Sequence, residues 1–167
     1  DANEGWSPAQ AIEMVRRLPD FGVELVEQPV PRDDLDGLAA VTAASPLPVL
    51  ADESCQHFPD VDRLAGRAHG INIKLMKCGG IREGLRMIRR ARELGLRVMI
   101  GCMIETSLAI TAAAHLSPLV DYADLDGNLL ISDYPFVGAT LDAAGRLVLP
   151  ATPGLGVKTA TSRNRRL

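Results

Sequence analysis

Ionisable residues recur along this chain at nearly regular intervals, and their types suit chemistry on a small charged molecule. Asp1, Glu27, Asp52 and Lys74 are separated by 26, 25 and 22 residues. Gly101 follows after 27 more, and the pair Asp124 and Asp126 begins 23 beyond that. Asp52 sits in Ala51-Asp52-Glu53-Ser54, directly after the apolar residues Leu47, Val49 and Leu50. An unpaired charge at the end of a buried strand is costly, so such an ending needs solvent, a cationic partner or a metal ion. Were Asp1, Glu27 and Asp52 to end consecutive strands, about 4.8 Å apart, their carboxylates would repel unless a cation lay between them. Three hard oxygen ligands with room for water or substrate suit Mg²⁺. Lys74 has two readings. Desolvation would tune it toward a general base, whereas Asp52 could hold it as a structural ion pair.

The elements that must position these groups follow from periodicity and caps. Helices are expected over 7–19 (Ser7 as N-cap, Gln10 completing a capping box), from Asp33 or Asp34 through Val41, from Asp60 through Leu64, over 81–94 and over 105–116. Strands are expected over 23–27, 48–52, 71–76, 97–100 and 122–126. Strand and helix alternate with short connections, which specifies a parallel α/β sheet. A repeat near 25 residues is one βα unit. A (β/α)₈ barrel is the natural architecture, because its active sites gather at the C-terminal ends of the strands. A doubly wound sheet is the alternative, though the Gly-rich phosphate loop it usually carries after its first strand is missing. Strand parity puts Glu27 with Val23 and Leu25, Asp52 with Leu50, Lys74 with Asn72 and Met76, and both Asp124 and Asp126 with Tyr122, while Glu53 points to the opposite side. Residues 1–134 form the partial barrel on this reading, and 135–167 a hairpin and tail.

Composition narrows the classes. With 167 residues, 47% of them hydrophobic, the chain can build one sizeable core. A net charge of −3 argues against nucleic acid as a partner, and no apolar run approaches the ~18 residues of a membrane helix. The basic run Arg163-Asn164-Arg165-Arg166 reads as a solvated terminus. Cys55, Cys78 and Cys102 form no CxxC pair and are odd in number, which with no recognisable leader sets the expectation of a reducing, cytoplasmic location. Their convergence with His57 on zinc is the weaker alternative to packing as small thiols.

The motifs "DAN" at 1–3, "VEQP" at 26–29, "ADES" at 51–54 and "NIKLMKCGG" at 72–80 resemble the enolase superfamily, muconate lactonizing enzyme subgroup. "IGCMIETSLAITAAAHL", "DLD" at 124–126 and "PGLGV" at 153–157 are similar to its dipeptide epimerases of the L-Ala-D/L-Glu type. The resemblance implies that Asp1, Glu27 and Asp52 bind Mg²⁺, that the metal holds the substrate carboxylate and stabilises the enediolate, that Lys74 is one acid/base, and that Asp124 and Asp126 hold the α-ammonium of a dipeptide. It also implies a partner lysine from a K-x-K motif on the second barrel strand. No such motif precedes Asp1, and Lys74-Leu75-Met76-Lys77 is no substitute. The chain is therefore expected to be the C-terminal part of the barrel, without capping domain or first units, and inactive alone. Other activities of the subgroup, o-succinylbenzoate synthase and N-succinylamino acid racemase, stand as competitors that the two aspartates disfavour, since their substrates lack a free α-ammonium. Cycloisomerisation is a further alternative. So is a non-catalytic half-barrel that associates with itself or with a separate N-terminal piece.

Overall fold

The run Ile71-Asn72-Ile73-Lys74 sends apolar and polar side chains to opposite sides of an extended chain, and that division decides how the whole sheet faces. In the computed structural model, which describes residues 1–132 and 135–160, five short strands lie side by side. They are β1 (Val26–Glu27), β2 (Val49–Ala51), β3 (Gly70–Lys74), β4 (Arg97–Gly101) and β5 (Tyr122–Ala123). All neighbours are parallel and their spatial order is 1-2-3-4-5. An order that never reverses lacks the switch point of a doubly wound sheet, so that alternative falls and the curled, barrel-type arrangement stands.

Val26, Val49, Ala51, Ile71, Ile73, Val98 and Ile100 face the helices and form the main core with them. The helices are α1 (Pro8–Arg17), α2 (Leu35–Ala44), α3 (Phe58–Leu64), the single turn α4 (Leu75–Cys78), α5 (Ile81–Glu93) and α6 (Ser107–Ala114). The other sheet face carries Glu27, Leu50, Asn72, Lys74 and Met99. Glycines make room there: a Cβ at Gly70 would stand 2.5 Å from Leu50 Cδ2, and one at Gly101 would stand 2.6 Å from the Asn72 amide. Beyond the sheet, β6 (Phe136–Val137) pairs antiparallel with β9 (Lys158–Thr159), and β7 (Thr140–Leu141) with β8 (Leu147–Val148). Among the described residues no helix is long and apolar enough to cross a membrane. The basic run 163–166 lies outside the described residues.

Local chemistry sets the element ends. Ser7 and Gln10 form the expected capping box, and the Asp34 carboxylate accepts from Gly37 N at 2.8 Å. Asp60 is not the N-cap of α3. His57 holds that place, and Asp60, three residues on, accepts the backbone N–H of His57 at 2.9 Å and of Gln56 at 3.1 Å. The first strand is shorter than expected because its neighbour β2 begins only at Val49, and Pro48 before it accepts from Val26 N but has no N–H to extend the ladder. The third stops at Lys74 rather than Met76, and the chain winds into α4, closed by Gly79 and Gly80 at φ 97° and 112°. That turn buries Leu75 and Cys78 and leaves Met76 67% exposed, off the face of Lys74. The fifth strand stops at Ala123: Asp124 N still donates to Ile100 O at 3.0 Å, but the chain then turns away and Asp126 already has helical backbone.

Gly70→Ala tests the close approach of β3 and β4. Its Cβ would meet the Arg97 carbonyl as well as Leu50, so urea unfolding is expected to show a loss of about 2 kcal/mol. An unchanged midpoint would contradict the packing described.

Candidate active site at the strand ends

β1, β2 and β3 end together, and their last polar residues meet. Glu27 is 5% exposed and Asp52 is fully buried. Lys74 Nζ lies 2.7 Å from Asp52 Oδ2 and 4.0 Å from Glu27 Oε1. The second Asp52 oxygen takes Lys77 Nζ at 2.8 Å, and Lys77 is also 3.9 Å from Glu53 Oε1. Asn72 donates from Nδ2 to Glu27 Oε1 at 2.7 Å. Its own Oδ1 and the Oε2 of Glu53 are buried without a partner among the described residues. A cavity of about 450 Å³ opens here. Asn3, Arg32, Glu53, Gln56, Lys74 and Lys77 form one part of its wall, and Cys102, Met103, Ile104, Asp126, Gly127 and Leu130 the rest.

The structure thus gathers Glu27, Asp52 and Lys74. Asp1 lies at the edge of the group: Ala2 N donates to Glu27 O at 3.0 Å, which runs the segment beside β1, but the Asp1 carboxylate turns to Asn3 N at 2.7 Å and Asn3 Nδ2 at 3.2 Å. Asp124 and Asp126 are both exposed, and Asp126 lines the cavity. Glu53 does not point away as parity suggested. The strand ends at Ala51, alternation stops with it, and Glu53 joins the cavity wall beside Lys77. Lys77, Asn72 and Gln28 escaped the sequence reading as members of the site. The spacing of Lys74 and Lys77 would have signalled the first, had the chain been read as turning helical after Lys74.

Charge here is shared unevenly. Burial is the largest influence on Asp52 and opposes its charge, but the hydrogen bonds and charges of Lys74 and Lys77 outweigh it and hold the carboxyl below the usual aspartate range. Burial likewise works hardest against the Lys74 ammonium. The Asp52 hydrogen bond and the charges of Asp52, Glu27 and Glu53 overcome it and raise the pKa. Lys74 is here an ion-paired ammonium held by Asp52, with its pKa raised rather than tuned downward. Glu27 is raised, first by burial and then by the charge of Asp52, against the Asn72 hydrogen bond. Glu53 is raised by burial and by Asp52.

These groups fit Mg²⁺ by donor type, since the carboxylates and the orphaned Asn72 oxygen are all hard oxygen ligands. Among the described residues, no set of three His, Cys, Asp or Glu side chains stands close enough to hold a metal as placed, Asp1 included. The same holds for the cysteines and His57: Cys55 and Cys78 are buried, with thiol pKa values raised by burial.

Opposite effects on stability are expected from the two buried acids. Asp52→Asn leaves two ammonium groups without their counter-ion and should cost about 3 kcal/mol at neutral pH. Because the Asp52 pKa is lowered, its contribution is present above the unfolded value and lost as pH falls through the folded one. Glu27→Gln removes a carboxylate whose pKa is raised, so it should stabilise at neutral pH, with the gain lost as pH falls from the raised folded value to the ordinary glutamate value of about 4, below which glutamate is protonated in both states. Urea unfolding between pH 3 and 8 reads both, and equal signs at pH 7 would contradict the electrostatics.

Residues 1–162 match the family described as enolase C-terminal domain-like. The L-Ala-D/L-Glu epimerase of Bacteroides thetaiotaomicron is 53% identical over 158 residues, 94% of this chain and 41% of that protein. The solved structure of a substrate-liganded complex of the L-Ala-D/L-Glu epimerase from Bacillus subtilis superposes with a TM-score of 0.88 at 39% identity, covering 95% of this chain and 46% of that one. A dipeptide epimerase from Enterococcus faecalis, solved with Mg and L-Leu-L-Tyr, gives 0.87 at 42% identity over 93% of this chain and 46% of its own. The chain spans less than half the length of these relatives. With its parallel strands in barrel order and their polar ends gathered at one cavity, the chain belongs to the enolase C-terminal domain-like family.

Proposed function

We propose that this chain supplies one acid/base and the metal-holding carboxylates of a Mg²⁺-dependent dipeptide epimerase. The observation that carries the reading is the position of Lys74 Nζ at the cavity wall, 2.7 Å from Asp52 and 4.0 Å from Glu27. Asp1, Glu27 and Asp52 would hold the metal, which supplies positive charge for the substrate carboxylate as the α-proton leaves. Lys74 serves one face of the α-carbon. As an ammonium it delivers a proton there, and as the neutral amine it removes one. Epimerisation needs a second base on the opposite face. Lys77 is committed to Asp52 beside Lys74 on the same wall, so it does not fill that role. The chain's other lysine, Lys158, lies in β9 and is not among the residues that line the cavity. The catalytic unit on this proposal is therefore the complete barrel, and this chain alone is inactive.

Asp126 at the cavity and Asp124 two residues before it suit a cationic α-amine. They favour a dipeptide with a free amino terminus over N-succinylated or lactone substrates. Proton NMR of L-Ala-L-Glu in D₂O with Mg²⁺ tests the reading, using this chain and one extended upstream to the relatives' length. The extended chain should exchange the α-proton of the epimerised residue, and Lys74→Met should slow conversion of L-Ala-L-Glu to L-Ala-D-Glu by about a thousand-fold. Asp126→Asn should act mainly by raising KM. Absence of exchange from the extended chain with a panel of dipeptides would overturn the reading.

A further inference from the structure

Gln28 follows Glu27 and is fully buried, yet its backbone has φ 35°, a left-handed value that costs a non-glycine residue on the order of 1 kcal/mol or more. Strain of this kind persists where the surroundings over-determine it, and the Gln28 side chain shows how. Its Oε1 accepts two backbone N–H groups, from Asp52 at 3.0 Å and Ser54 at 3.1 Å. Its Nε2 donates to Val30 O at 2.9 Å and to Ser54 Oγ at 3.0 Å. The hydrogen-bonding capacity of the amide is used in full. Its backbone N–H adds a last rung to Leu50 O at 2.9 Å. β2 ends at Ala51, so the N–H groups of Asp52 and Ser54 need acceptors from outside the ladder. The Gln28 side-chain carbonyl stands in for the strand that is no longer there.

We propose that Gln28 is a positioning residue: its amide clamps the Asp52–Ser54 turn to the end of β1 and thereby fixes the Asp52 carboxylate relative to Glu27. The same residue that follows one carboxylate in the chain holds the backbone of the other, so the two cannot drift independently. A residue that merely filled space would need only volume. This one spends a strained backbone and four side-chain hydrogen bonds on one short turn, and Ser54 Oγ extends the tie to Arg32 O at 2.8 Å. The consequence for metal binding rests on the function proposed above; the clamp itself does not.

The test uses the 167-residue chain with Gln28→Met, of similar volume but without polar atoms, and Gln28→Glu, which keeps an acceptor for both N–H groups and loses the donors. Val61→Ala, in the core under α3, is the control for general destabilisation. Residue-resolved amide exchange by NMR should show Asp52 and Ser54 exchanging about tenfold faster in Gln28→Met, with Ile73 unchanged. Gln28→Glu should keep their protection, which preserves the test should the Met variant not fold. Calorimetric titration with Mg²⁺ should show affinity reduced about 10- to 100-fold in Gln28→Met and unaltered in Val61→Ala. Exchange at Asp52 and Ser54 that rises only in step with Ile73, or Mg²⁺ affinity equal in Gln28→Met and the parent, would overturn the proposal. Should neither the 167-residue parent nor the chain extended to its relatives' length bind Mg²⁺, the metal reading of the site fails, and amide exchange alone decides the clamp.

Discussion

A buried carboxylate cannot be left without a counter-charge, and the rim of this sheet is organised around one. Asp52 has no exposure, and each of its oxygens meets a different lysine. Those two lysines come from the end of β3 and from the turn that follows it. The break from extended to helical backbone at Leu75 therefore does electrostatic as well as topological work, because it brings Lys77 back over the same acid. Without that turn the residue three places on would continue along a strand about 10 Å away. The glycines at 79 and 80, with positive φ, let the chain leave the turn and enter α5.

The outer face of the sheet makes this arrangement affordable. Ile71, Ile73, Val98 and Ile100 lie against the helices and supply apolar burial, while the inner face of the same strands is given to Asn72, Lys74 and two glycines. Gly101 leaves the space in which Asn72 turns its amide toward Glu27. Stability and chemistry are thus divided between the two sides of one set of strands, as the alternation of side chains requires. The raised pKa of Glu27 and the unpartnered oxygens of Asn72 and Glu53 mark what the division leaves unsettled on the inner side. On the function proposed above, that inner side is where metal and substrate would bind.

Much of this was legible in the residues themselves. Acids placed after apolar runs, at a spacing of one βα unit, announced the strand ends before any strand was located. The order of strands followed from short connections. Less legible were the places where regular structure stops. Parity carried Lys74 onward to Met76 and Glu53 to the far side, and both inferences failed because the strand had already ended. Strand length depends on what the neighbour offers, such as the missing N–H of Pro48, which one segment's sequence does not reveal. The amides were hidden for a different reason. Gln28 and Asn72 carry no charge pattern, and their importance lies in which partners the fold brings within 3 Å or so. Asp1 shows the converse: its spacing places it with the other acids, but its side chain is held by its own neighbour Asn3.

On the function proposed above, Lys74 works on one face of a substrate α-carbon and a second base on the other. Stereospecific exchange addresses it most directly. In a Lys74→Met version of the chain extended to its relatives' length, α-proton exchange in D₂O would be followed separately for L-Ala-L-Glu and L-Ala-D-Glu. Two bases on opposite faces predict that one epimer loses exchange while the other, whose proton faces the remaining base, continues to exchange. Equal rates for both epimers, whether unchanged or equally reduced, would contradict the assignment of Lys74 to one face.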